Sequence, residues 1–227
     1  MRKFVASVIL GSLLFTSVMP AFANETDKAT DIRRQILELT KELNEVSQTE
    51  GDISYKVLES SEASNIIACE ITNNTEYTQE LHPSFVARDD DGNLKFAYIV
   101  NNLTLGAGDT YVVYQDMHSS DFMDRVRTAT IEWGAWTEYS NYATCTEYVD
   151  IDVSESGKKL ILTPSVNDES DGDYNLDVIV VFTKDDKVAY IAEDSAYRID
   201  PSDSIEITYS GSGPYDNYTV YYTAYNR

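Results

Sequence analysis

Histidine and cysteine are scarce in this chain, two of each among 227 residues. His82 and His118 sit in no H-E-x-x-H spacing, no serine occupies a G-x-S-x-G elbow, and no glycine-rich phosphate loop is present. Carboxylates abound, but abundance does not pair an acid with a base, so the composition argues against an enzyme. Basic residues are also few: 17 Lys and Arg stand against 39 Asp and Glu, for a formal charge of −22. Such a charge favours solubility and opposes nucleic acid, anionic lipid and other phosphate-rich partners; it leaves cationic partners or metal ions, or simply a solvated acidic surface. Apart from its first residues, the chain has no apolar run long enough to cross a bilayer.

That first run is a secretory leader by its pattern. Arg2 and Lys3 form a positive start, Phe4 to Met19 carry no charge, and Ala21-Phe22-Ala23 is an A-x-A cleavage site. Residues 1–23 are therefore expected to be removed, leaving a secreted or cell-surface protein that starts at Asn24, carries a charge of −24 (−22 less the two cations Arg2 and Lys3) and has no membrane span. Residues 24–50 read as an amphipathic helix: Ile32, Ile36, Leu39, Leu43 and Val46 recur at spacings of 4, 3, 4 and 3, and Gly51 stops the pattern. This seam can pack on the rest of the chain, pair with a second copy, or stand free as an arm.

From residue 51 the pattern changes to strands. The central stretch is Phe85 to Tyr98, two apolar-rich runs around Asp89-Asp90-Asp91-Gly92-Asn93, which predicts a β-hairpin. The construction returns at Val178 to Tyr190 around Lys184-Asp185-Asp186-Lys187, and both copies end in Ala-Tyr-Ile. Upstream, Ile66-Ile67-Ala68 through Asn73 aligns with Leu160-Ile161-Leu162 through Asn167, which sets Thr163 opposite Cys69. Downstream, Leu105-Gly106-Ala107-Gly108-Asp109 aligns with Ile199 to Ser202 onward, and Thr130 to Trp136 with Thr219 to Tyr225. A period this long predicts two tandem modules rather than a solenoid. They span residues 51–136 and 148–227, joined by a linker at 137–147. Short strands with turns every eight to twelve residues predict an immunoglobulin-like antiparallel β-sandwich in each. The fold class is thus mainly β, two tandem sandwich modules preceded by a helix. The copies differ most at Asp116 to Arg127, a segment that faces only Ser210 to Asp216 in the second module.

The turn signals resemble the FxLYD-like and related immunoglobulin-like modules of secreted Gram-positive bacterial proteins. The first module carries Asn73-Asn74-Thr75, Phe85, Asp89-Asp90-Asp91-Gly92 and Leu105-Gly106-Ala107-Gly108-Asp109. The second carries Asn167, Phe182, Asp185-Asp186 and Ile199-Asp200-Pro201, without the turn glycine; Ala87 and Arg88 stand where the family name has Leu and Tyr. The resemblance covers most of residues 54–227. It implies an extracytoplasmic binding or scaffolding role and supplies no catalytic residues.

Several residues are candidates for a site. Asp89, Asp91 and Asn93, and again Asp168, Asp171 and Asp173, offer oxygen ligands to calcium; turn chemistry explains the same residues, so no cofactor is required. His118 lies among Asp116, Asp121 and Asp124 and is either a loop histidine or a binding residue. Cys69 and Cys145 can pair in an exported chain, stapling the linker to the first module, or remain two free thiols. The chain holds 17 tyrosines. On the last strand Tyr218, Val220, Tyr222 and Ala224 face one way, and Thr219, Tyr221, Thr223 and Tyr225 the other. If Tyr222 is buried, Tyr221 and Tyr225 fall on an exposed aromatic face suited to a sugar or a protein; cross-strand packing is the alternative. The expected function is an exported, non-catalytic binding or scaffolding protein at the bacterial cell envelope, its partner an extracytoplasmic protein or a cell-wall glycan. The second expectation is a regulator, an inhibitor or enzyme accessory, acting through the insert at 116–127.

Overall fold

A computed structural model of the chain describes residues 32, 35, 52–61, 64–117, 130–139, 144–167, 174–199, 204–211 and 213–226, with the side chains of 130, 132–139 and 226 left aside. The leader expected over 1–23 lies outside these residues. So does the helix expected over 24–50, save for Ile32 and Gln35, two isolated positions that establish no helix.

The described chain is mainly β, and all of its strand pairs are antiparallel. Strands β1 (Ile53–Leu58), β2 (Ile66–Asn73) and β6 (Thr110–Asp116) form one sheet, in the order β1-β2-β6. Strand β3 (Gln79–Arg88) centres a second sheet. β4 (Leu94–Ile99) and β5 (Leu103–Leu105) pair with successive parts of it, and β7 (Thr130–Tyr139) pairs along its whole length. The arrangement then recurs. Strands β8 (Val149–Ser156), β9 (Lys159–Val166) and β12 (Ile205–Thr208) form a sheet in the order β12-β9-β8. Strands β10 (Tyr174–Lys184), β11 (Lys187–Ala196) and β13 (Asn217–Asn226) form the fourth, in the order β11-β10-β13. The expected end of the first unit at Trp136 is passed by β7, which runs on to Tyr139.

Three cores separate the four sheets. Between the first two, Ile67, Cys69 and Ile71 of β2 meet Leu81 and Phe85 of β3. Between the last two, Leu160 and Leu162 of β9 meet Leu176, Val178, Val180 and Phe182 of β10. The third core joins the halves: Ile66, Ala68 and Val112 pack on Ile179, Val181, Val188 and Ile191. Both faces of β2 and of β10 are therefore buried over much of their length, and each strand carries a continuous apolar stretch, Ile66–Cys69 in β2 and Val178–Phe182 in β10. At the edge of this junction the Val188 N–H donates to the Glu59 carbonyl at 2.7 Å and the Ser61 N–H to the Val188 carbonyl at 2.8 Å. Lys187 pairs with Glu59 at 2.5 Å, and the Tyr221 hydroxyl donates to a Glu70 carboxylate oxygen at 2.6 Å.

The hairpin turns explain the motifs. Asp89 accepts from the backbone N–H groups of Asp91 (3.1 Å) and Asn93 (2.8 Å), while Gly92 takes φ 78. The second hairpin turns in two residues, Asp185 and Asp186, both at positive φ (52 and 60), the signs of a type I′ turn made without glycine. Phe85 opposes Tyr98 across the first hairpin, and Phe182 opposes Tyr190 across the second. The facing of β2 and β9 corrects the expected alignment by one residue: Leu162, not Thr163, shares the inward position of Cys69.

Asn73 is the fixed point of the Asn-Asn-Thr turn. The two hydrogens of its side-chain amide are shared among the carbonyls of Tyr77, Leu105 and Gly106, and its oxygen accepts from the Thr75 N–H and hydroxyl. It is fully buried, and these contacts compensate the burial. The connection after β7 is held as firmly. The Cys145 N–H donates to the Ala224 carbonyl at 2.8 Å, and Thr144 bridges to Tyr225. Thr144 also lies so close to Gly106 that a Cβ there would stand 2.2 Å from its hydroxyl oxygen.

Candidate functional site

A cavity of about 430 Å³ opens at the end of the last two sheets. The end of β8 supplies Glu155 and the β8–β9 turn Gly157 and Lys158; the segment after β12 supplies Tyr209 and residues Gly213 to Asp216, and the start of β13 Asn217 and Tyr218. Its aromatic floor grows from the core beneath. Phe182 of β10 packs against Tyr209 (ring centroids 5.1 Å apart) and Tyr215 (4.9 Å). Tyr215 then meets Tyr209 edge-on at 4.9 Å and Tyr218 edge-on at 6.4 Å, the geometry that aromatic quadrupoles favour. Gly211 allows the close turn, because a Cβ there would stand 2.6 Å from the Tyr209 ring and hydroxyl. Gly213 carries φ +79, which favours glycine.

The polar groups are set around this floor. The Lys158 ammonium stands 5.8 Å from the centroid of the Tyr209 ring, within cation–π range. One Asp216 carboxylate oxygen accepts from the Asp185 N–H at 2.9 Å, which ties the cavity rim to the tight β10–β11 turn. The Asn217 side-chain oxygen accepts from the Tyr218 N–H at 2.8 Å, which orients its amide. The Tyr209 hydroxyl is sealed from water and has no hydrogen-bond partner among the described residues. Desolvation, then the neighbouring Tyr215, raises the pKa of Tyr209. Desolvation raises those of Tyr215 and Tyr218 as well, with help from the Glu155 carboxylate. All three stay neutral phenols over the physiological range. Aromatic faces beside fixed amide, carboxylate and ammonium groups can hold a small polar ligand without chemistry on it.

The equivalent end of the first half is built differently. Met117 occupies the position of Tyr209: its N–H donates to the Asn65 carbonyl just as the Tyr209 N–H donates to the Lys158 carbonyl. Of the insert at 116–127 only Asp116 and Met117 are described, and Met117 packs on the first core.

The expected site residues fare unevenly. Asp89, Asp91 and Asn93 do come together, as a turn. Burial raises the Asp89 pKa, but hydrogen bonds from Lys95 and Asn93 outweigh it and hold the carboxyl below its ordinary value. The Lys95 ammonium sits 3.0 Å from one Asp89 oxygen and the Asn93 amide 3.2 Å from the same atom. With the Asp91 and Asn93 N–H groups on the other oxygen, both Asp89 oxygens are engaged within the turn. Asp168, Asp171, Asp173 and His118 lie outside the described residues. Among the described residues no three His, Cys, Asp or Glu converge as metal ligands.

The expected exposed aromatic face on β13 is corrected. Tyr222 is inward-facing as the alternation requires, with its hydroxyl on the Val149 carbonyl at 2.8 Å. Its opposite face, however, is covered: Tyr221 packs on the core between the halves and bonds Glu70, and Tyr225 is only half-exposed beside the Thr144 bridge. The Cys69–Cys145 bridge is not formed. Both thiols are free and buried, Cys69 in the first core and Cys145 in the last. Burial raises both pKa values, that of Cys145 to about 11. The tyrosine cavity itself escaped sequence reading. Its rings come from a glycine-containing connection, and its Glu155 and Lys158 from a turn some fifty residues earlier. The one available signal was the shorter second-copy segment, Ser210 to Asp216. No protein-family model and no curated protein matches the chain.

Proposed function

We propose that the chain is an exported, non-catalytic binding or scaffolding protein of the bacterial cell envelope, made of two tandem immunoglobulin-like sandwich modules. The observation that carries this reading is the tyrosine-floored cavity, a preformed concave site on a scaffold of packed sheets. The leader pattern at residues 1–23 supports export, and the Asn73 turn supports the resemblance to FxLYD-like modules. A central core joining the halves suits scaffolding, since it fixes the cavity relative to the first half. Cell fractionation with N-terminal sequencing tests the export step. The expected product lies outside the cytoplasmic membrane and begins at Asn24. Cytoplasmic retention of a chain beginning at Met1 would overturn the proposal.

A further inference from the structure

We infer that the tyrosine cavity binds a neutral sugar ring of a glycan, with Tyr215 and Tyr218 as the stacking faces. The inference deepens the reading of the chain as an envelope binding protein and rests on it. A pyranose ring presents apolar C–H faces and a rim of hydroxyls, and the cavity offers the complement of both. Tyr215 and Tyr218 stand at 78° to each other, so a ring laid on one face meets the edge of the other. Both are partly exposed, whereas Tyr209 beneath them is almost completely buried. Around them stand groups already fixed by the fold. The Asp185 N–H engages one Asp216 oxygen, which leaves the other to accept from a hydroxyl. The Asn217 oxygen is held by the Tyr218 N–H, which leaves its amide hydrogens to donate. Groups held in place before binding lose little entropy when the ligand arrives.

Charge selects among glycans. Glu155 and Asp216 outnumber Lys158 at the cavity, and the chain carries −22 overall. Phosphate-bearing and uronic-acid polymers are therefore repelled, and uncharged units are left. The volume, about 430 Å³, lies in the usual range for small-ligand sites of about 300–1,000 Å³. A free ammonium ligand is disfavoured because Lys158 already occupies the face of Tyr209.

The test titrates the purified chain with cellotetraose, the N-acetylglucosamine tetrasaccharide and tetramethylammonium, read by amide NMR shifts. Saturable binding of at least one tetrasaccharide is expected, with a dissociation constant of about 1 mM or tighter and shifts clustered at Glu155–Lys158 and Gly213–Tyr218. Y215A and Y218A should each weaken it about tenfold, while Y221F, far from the cavity, should leave it unchanged. Shift mapping on the unaltered chain keeps the test valid should either alanine variant fail to fold. Shifts elsewhere, silence towards both sugars, or a response to tetramethylammonium alone would overturn the inference. Silence towards the sugars with retained binding to isolated cell wall would overturn the sugar site and leave the envelope reading standing. Sugar binding by a chain that remains cytoplasmic would do the reverse.

Discussion

Replacing Asn73 with alanine should cost the fold about 3 kcal/mol. The side chain is fully buried; its two amide hydrogens are shared among three backbone carbonyls, and its oxygen accepts two bonds from Thr75, about four bonds in effect. Each such bond contributes about 1 kcal/mol net, so about four of them set the loss at about 4 kcal/mol before any compensation. Gly106 keeps a second donor, because the Asp109 N–H lies 3.2 Å from its carbonyl, so that loss is partly offset. In a chain of this length each kcal/mol lowers the melting temperature by about 2–4 °C, which predicts a fall of about 6–12 °C. Urea unfolding followed by circular dichroism measures the loss directly, and an unchanged slope would show that the unfolded state is not the cause. A loss below about 1 kcal/mol would refute the idea that the Asn-Asn-Thr motif is a buried structural clamp.

Other perturbations follow from the same geometry. Asp186→Gly relieves a positive φ at the β10–β11 turn and should stabilise by about 0.5–1 kcal/mol in the same assay; destabilisation would mean that the Asp186 side chain is needed there. Gly106→Ala drives a Cβ into the Thr144 hydroxyl and should destabilise by about 1–3 kcal/mol, with part of the loss recovered in the Gly106→Ala, Thr144→Ala double variant. Alkaline pH should weaken the fold. Burial raises the Cys145 pKa from 9.0 to about 11 and that of Tyr114 from 10.0 to about 12. The unfolded chain therefore loses these protons first, so stability is full below pH 9 and declines as pH climbs towards 11 and 12. Stability that stays level from pH 9 to 11 would contradict this sign. Both thiols should resist a water-soluble thiol reagent at pH 8 until the chain is unfolded, when mass spectrometry should find two labels.

The hairpins were legible because their turns are written in local chemistry: the Asp89 side chain closes the turn to Asn93, and Asp185-Asp186 adopt the positive φ that a two-residue turn requires. The repeat was legible through Tyr98 and Tyr190, which oppose Phe85 and Phe182. The slip at β2 has a physical cause. Ile66 and Ala68 face the central core while Ile67 and Cys69 face the first, so the first half of β2 is apolar on both faces and does not mark the register. The same central core misled the reading of β13. Alternation placed Tyr221 opposite Tyr222 correctly, but a face opposite a core is exposed only when nothing else packs on it. The cavity depends on contacts between the β8–β9 turn and the β12–β13 connection, which no periodicity encodes. The bridge between Cys69 and Cys145 required two different cores to be one, and sequence spacing carries no such distance.

The most direct measurement is sedimentation of the purified chain with isolated Gram-positive cell-wall sacculi, with calcium and with a chelator. Saturable pelleting is expected in both conditions, because the Asp89 oxygens are already engaged by Lys95 and Asn93. Pelleting only with calcium would return the acidic loops to the centre of the mechanism. No pelleting in either condition would contradict binding at the cell wall.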